Sequence, residues 1–233
     1  NCYIKFYEIS ISIISWAKFI CLNLKMNLTS LYLRRQIGCS IMDQNFTHFI
    51  NHLRKFGHLN DLQAKEITEY FTLDLIPAGE YYLQNGKISH RMGFITQGVM
   101  RYCNVGKEGE LLTCYFVAEN DLAGDIESFA RQIPSTLHLQ AITDTLIISI
   151  SRSQNEILTE RFPDFISINA LMAQVFVTSL ANQRAFLLNS DGKAKYDYFI
   201  EHYAHIMNRV PLGMVASYLG IKQQSLSRLR AQF

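Results

Sequence analysis

None of the five cysteines, Cys2, Cys21, Cys39, Cys103 and Cys114, stands in a CxxC pair, and their number is odd. That excludes a disulfide framework, leaves iron–sulfur ligation without a usable spacing, and suits a reducing cytosol. Proline is scarce, with 4 residues, and glycine is modest, with 12. No collagen-like or low-complexity reading survives that composition. No apolar run reaches the roughly 20 residues of a spanning helix, so a soluble protein away from the membrane is expected. GxSxG, HExxH, Walker A and a GxGxxG following a strand are all missing, so the sequence offers no catalytic residues and reads as a non-enzyme. His48 and His52 lie one helical turn apart but have no evident third ligand, so neither a metal nor any other cofactor is expected.

What is present is a core-former: 48% of the 233 residues are apolar and 12% aromatic, enough for one or two domains. The net charge of +2 is unevenly divided. Residues 1–41 carry five Lys/Arg against one acid, residues 42–188 eleven against sixteen, and residues 189–233 six against three. A polyanion, if one is met, is met at the positive C-terminal end. The first 41 residues show no organised caps or turns and no signal-peptide cleavage site. They read as a disordered or non-native extension, with the domain proper starting at Met42.

From Asp43, the residues Phe46, Phe49, Ile50, Leu53 and Phe56 recur at three and four positions and stop at Gly57, which predicts an amphipathic helix. A second helix follows Asn60 and Asp61. The period then shortens to strand-like runs cut by Pro77-Ala78-Gly79, Asn85-Gly86, Gln97-Gly98 and Gly106 to Gly109. At least seven strands between Phe71 and Ile150 make an antiparallel barrel or sandwich. Helices resume at Ser153, which with Glu156 forms a capping box. The stretch from Pro163 to Leu188 holds no breaker before Asn189-Ser190-Asp191-Gly192 and predicts one helix of about 39 Å. It has two apolar faces. Ile166, Ala170, Ala173, Val177, Leu180, Arg184 and Leu187 follow a coiled-coil spacing, which predicts a dimer seam, while Phe165, Ile168, Met172 and Phe176 are left for the barrel.

Residues 209–233, RVPLGMVASYLGIKQQSLSRLRAQF, form the most specific segment. Pro211 starts a helix, Val215, Ala216 and Leu219 face inward, Gly220 ends it, and Ile221, Leu226 and Leu229 continue the core on the next helix. This is helix-turn-helix spacing. With Leu226 and Leu229 inward, the second helix presents Gln224, Ser227 and Arg228 outward, flanked by Gln223. Arg228 suits guanine, the glutamines suit adenine, and Ser217, Lys222, Ser225 and Arg230 suit phosphates.

In this order of parts, residues 43–233 resemble the Crp/Fnr superfamily of transcription regulators, in particular its short Bacteroidetes-type branch. The barrel marks are Ile76-Pro77-Ala78-Gly79-Glu80, Asn85-Gly86, Phe94-Ile95-Thr96-Gln97-Gly98 and Gly124-Asp125. The DNA-binding marks are Val215-Ala216-Ser217-Tyr218-Leu219-Gly220-Ile221 and Ser225-Leu226-Ser227-Arg228. The resemblance implies an α+β protein: a cyclic-nucleotide-binding-like, jelly-roll-type double-stranded β-helix over 42–162, a dimerisation helix over 163–189 and a winged-type helix-turn-helix over 190–233, its wing missing or reduced.

The resemblance also implies an effector pocket over Gly124, Asp125, Ile126, Ser128, Arg131, Ser135 and Thr136. In nucleotide-binding members the short helix there presents backbone N–H groups to the cyclic phosphate, and an Arg precedes the next strand. Here Ser135 stands in the place of that Arg, Arg131 lies four residues earlier, and Glu119, Asp121, Asp125 and Glu127 would repel an anion. The expectation is therefore a cytoplasmic homodimer that binds a palindromic DNA operator, with RNA polymerase as a candidate partner and an effector, if any, that is unknown and is not a cyclic nucleotide. A small-molecule-binding barrel acting on a protein partner without DNA is the alternative.

Overall fold

The structure, a computed structural model, describes residues 42–231. The chain divides between residues 44 and 45 into two units, and the barrel and the C-terminal helices belong to the second. The expected extension, with Cys2, Cys21 and Cys39, and the end of the chain at Phe233 lie outside the described residues.

Helix α1 (42–53) buries Phe49, Ile50 and Leu53, the apolar face expected of it, and its last turns loosen before Gly57. Helix α2 (Asp61–Thr68) begins at a reciprocal cap: the Asn60 side chain accepts from the Gln63 N–H and the Gln63 side chain accepts from the Asn60 N–H. Eight strands follow: β1 (Thr72–Ile76), β2 (Tyr81–Leu83), β3 (Arg91–Gln97), β4 (Met100–Val105), β5 (Leu111–Val117), β6 (Leu122–Ala123), β7 (His138–Ala141) and β8 (Thr145–Ser151). They form two four-stranded antiparallel sheets, ordered β1-β8-β3-β6 and β2-β7-β4-β5. The α+β, jelly-roll-like class expected from the sequence is the one observed.

Side-chain alternation explains why the barrel strands read as nearly continuous apolar runs. On β3 and β8, Phe94 and Ile148 point to a cluster with α1, α2 and the residues Phe165, Ile168 and Met172, while their neighbours Ile95 and Ile147 fill the barrel interior beside Met100, Tyr102 and Leu139. Both faces of that sheet are buried. Helix α3 (Ile126–Arg131) interrupts the strands after β6. Helix α4 (Arg152–Arg161) starts earlier than the sequence suggested: its cap is Ser151 with Gln154, not Ser153 with Glu156. Both pairs have the S-x-x-E/Q form, but β8 runs unbroken to Ser151, so the chain turns helical immediately.

Helix α5 (Pro163–Asn189) is the long helix expected, with Pro163 in its first turn. Its two apolar faces make it, by length and composition, long and apolar enough to cross a membrane, contrary to the expectation that no segment would be. Phe165, Ile168 and Met172 nevertheless pack into the cluster formed by α1, α2, β3 and β8. Three helices close the described residues: α6 (Gly192–Tyr203), capped by Asp191, α7 (Leu212–Leu219) and α8 (Gln223–Arg230).

Candidate nucleic-acid interface and effector segment

The α7–α8 pair has the geometry that its spacing requires. Gly220 ends α7 in the left-handed region, at φ 65°, and its N–H returns to the carbonyls of Ala216 and Ser217. A side chain at that φ would be strained, so glycine is what permits the sharp entry into α8. Val215, Ala216, Leu219 and Leu226 are buried, with Ile221 and Leu229 against them. Gln223, Gln224, Ser225, Ser227, Arg228 and Arg230 are exposed, which leaves the predicted reading face of α8 open to solvent. Gln223 differs from its neighbours. Its side-chain oxygen would lie 3.3 Å from a Cβ placed on Gly213, so it leans over the first turn of α7. Lys222 is the N-cap of α8 and supplies no side-chain cap bond.

Ser217 is placed differently from expectation. Its residue type suits a phosphate, yet it is turned towards the barrel, where its Oγ accepts from the Thr113 N–H of β5 at 2.9 Å. The apolar cluster of the helix-turn-helix continues in the same direction: Tyr218 packs on Phe116 of β5, and Val99, Phe116 and Ala118 join Tyr196, Phe199 and Ile206 in one core. Sequence reasoning also missed Arg209, which donates to both oxygens of Glu119 in the β5–β6 turn at 2.6 and 2.8 Å. Partial burial works to raise the Glu119 carboxyl, but the bonds from Arg209 and from the Gly98 N–H outweigh it and hold the group down at about 2.

No protein-family model matches the chain, and no curated protein matches it. Solved structures do. FixK2 from Bradyrhizobium japonicum superposes with a TM-score of 0.59 at 13% identity, over 70% of this chain and 83% of that one. A CooA variant from Carboxydothermus hydrogenoformans gives 0.57 at 14% identity, over 72% and 78%. A Crp/Fnr-family transcriptional regulator from Eubacterium rectale gives 0.57 at 15% identity, over 75% and 83%. The chain has the Crp/Fnr fold.

In the barrel the residues expected to meet an effector are brought together but are largely engaged with one another. Ser135 is buried; its Oγ bonds to both the N–H and the carbonyl of Leu137. Arg131 points to solvent and pairs with Glu127 at 2.5 Å. At the start of α3, Asp125 caps the Ser128 N–H at 3.0 Å, and the Ser128 hydroxyl donates to the Ile133 carbonyl. Ile126 is half-buried in the first turn of α3, and Thr136 is exposed, its carbonyl accepting from Asn85. The Gly124 N–H donates to the Tyr102 hydroxyl at 3.0 Å.

On the outer face of α5, Ile166 and Val177 are 52% and 54% exposed. Ala170 is exposed, and Ala173 and Leu180 are half-buried. Leu187, also part of the predicted seam, packs against the helix-turn-helix cluster instead. Cys103 is buried and Cys114 exposed, both as free thiols. His52 lies 4.8 Å and His48 5.9 Å from the Phe94 ring, centroid to centroid, so both imidazoles take part in aromatic packing.

Proposed function

We propose that this protein is a cytoplasmic, homodimeric, sequence-specific DNA-binding transcription regulator. The observation that carries the reading is the open face of α8: Gln224, Ser227 and Arg228 project from a helix whose opposite side, at Leu226, is fully buried against α7. That is the arrangement a major groove accepts. Arg228 would take guanine, Gln224 and Gln223 adenine, and Lys222, Ser225 and Arg230 the phosphates. Ser217 is held by β5 and leaves the phosphate set.

Dimerisation through α5 is supported by the aliphatic stripe of Ile166, Ala170, Ala173, Val177 and Leu180, exposed at Ile166, Ala170 and Val177 and half-buried at Ala173 and Leu180, a stripe of the kind that rarely stays in water. Two copies would place their α8 helices about 34 Å apart on an imperfect palindrome. The reading without cyclic nucleotide is supported by the state of the effector segment: the Gly124 amide is taken by Tyr102, Asp125 caps α3, and Arg131 faces solvent beside Glu127. The regulator reading is supported by the similar structure from Eubacterium rectale, which is described as a transcriptional regulator.

The test is competition of a labelled promoter fragment against random DNA across a salt series. The reading predicts specific binding that survives excess random competitor. Equal competition by both DNAs, or no binding to either, would refute it in favour of a barrel acting through a protein partner.

A further inference from the structure

A column of aromatic rings runs through the barrel from the effector segment to the long helix. Tyr102 of β4 is fully buried, and its hydroxyl makes two bonds to one residue: it donates to the Gly124 carbonyl at 2.8 Å and accepts from the Gly124 N–H at 3.0 Å. Its ring stacks on Tyr115 of β5, with centroids 4.3 Å apart and planes inclined by 24°. Tyr115 in turn meets Phe176 of α5 edge-on at 6.3 Å. Phe176 is the neighbour of Val177 on the outer stripe.

Gly124 can make both bonds only because it is glycine. Its φ is 122°, and a Cβ there would meet Met92 Sδ at 2.7 Å and the Arg91 carbonyl at 3.0 Å. Burial pushes the Tyr102 phenol well above its usual range, so it remains a neutral donor and acceptor. The adjoining Asp125 N–H is also engaged, with Ser89 Oγ at 3.3 Å. The segment that a bound ligand would order is therefore ordered by the protein's own phenol, and the same phenol leads by ring contact to α5.

We propose that the Tyr102–Tyr115–Phe176 column is a built-in strut that takes the place of a small-molecule effector, with Tyr102 as the positioning residue that fixes the 122–131 segment relative to α5. On the reading that the chain binds DNA, binding then runs at full strength without added ligand. An effector competing for this site would have to displace a buried, doubly bonded ring.

The experiment uses the full chain, dialysed free of small molecules, with Tyr102→Phe, Tyr102→Ala and p-cresol as a probe. Tyr102→Phe keeps the stack and deletes the two bonds to Gly124. Exchange of the Gly124 amide should accelerate about tenfold while that of Ile147 in the barrel core is unchanged, and operator affinity should fall severalfold. Tyr102→Ala removes the ring, and p-cresol should restore both its melting temperature and its operator affinity, with no effect on the unmodified protein.

Unchanged operator affinity in Tyr102→Phe would overturn the strut. So would p-cresol restoring the melting temperature of Tyr102→Ala without its DNA binding, or an unmodified protein that binds operator only after a small molecule is added. If Tyr102→Ala does not fold, Tyr102→Phe decides alone. If no form binds DNA, the regulator reading fails and not the strut, which the Gly124 exchange rate and p-cresol uptake still test.

Discussion

Arg209 and Glu119, ninety residues apart in sequence, meet as a two-pronged ion pair that fastens the segment before α7 to the β5–β6 turn. Both side chains are about one-third exposed or less. Replacing Arg209 with Ala should cost about 1 kcal/mol of stability, the scale of a partly solvated pair, and should loosen the helix-turn-helix from the barrel. The Glu119 carboxyl sits below its ordinary value, so its contribution is full above about pH 4.5 and is lost as pH falls towards 2. Thermal melts of Arg209→Ala and of the unmodified protein should thus differ at pH 7, and the difference should shrink below pH 4.5 and close as pH reaches about 2. A constant difference across that range would mean that the pair is not the source.

Asp121 closes the same turn, accepting from the Ala118 N–H at 2.8 Å, and behaves oppositely. Burial lifts its carboxyl to about 6, against the pull of the Ala118 N–H and with a smaller push from Glu119. A folded-state value above the ordinary one means that the charged form costs stability at neutral pH, and that the cost fades as pH falls from about 6 towards 4. Asp121→Asn should therefore melt about 2 to 4 °C above the unmodified protein at pH 7.5, and the gap should close by pH 4. A gap independent of pH would assign the effect to something other than this proton.

The outer stripe of α5 predicts its own disruption. Val177→Asp together with Leu180→Asp would place charge in the proposed seam and should give monomers by sedimentation equilibrium, with little change in the melt of the isolated chain because Val177 is already exposed. An unchanged dimer would place the interface elsewhere.

On α8, two substitutions should separate reading from holding. Arg228→Ala should cost about 1 to 3 kcal/mol on the preferred site and relax one base pair, while Lys222→Ala should weaken all sequences alike and shallow the salt slope by about one unit. Lys222→Ser carries an additional effect. It would supply the hydroxyl cap that α8 lacks, so it should stabilise the protein by about 0.5 to 1 kcal/mol while still weakening DNA binding. Loss of Arg228 felt equally on operator and scrambled DNA would make it a phosphate contact.

Turn chemistry and periodicity made much of this molecule legible. Gly220 and the inward set Val215, Ala216, Leu219 and Leu226 are local signals, and the helix-turn-helix could be placed from them. The strands showed for the same reason, apart from β6, whose two residues are too few for any period. What escaped depended on partners far along the chain. Ser217 has the composition of a phosphate ligand, and only the approach of Thr113, a hundred and four residues away, turns it inward. Leu187 fits the heptad but is drawn to the nearer core. The departure at Ser135 could be read from sequence, whereas the occupation of Gly124 by Tyr102 could not, because nothing local marks which barrel tyrosine points at which amide.

The turn at Ser190-Asp191 has the composition of a hinge but is braced on both sides. Gln183 of α5 donates to the Tyr203 hydroxyl of α6 at 2.6 Å, and the Phe186 ring lies on Tyr198 at 4.5 Å. Helices α5 and α6 consequently form a bracket, and in the proposed dimer two such brackets would hold the α8 pair at a fixed pitch. Inserting one base pair between half-sites rotates one of them by about 35° about the duplex axis, which a swivelling reader could follow and a bracketed one could not. Such a regulator would police the length of the spacer in its operator as strictly as the letters on either side of it.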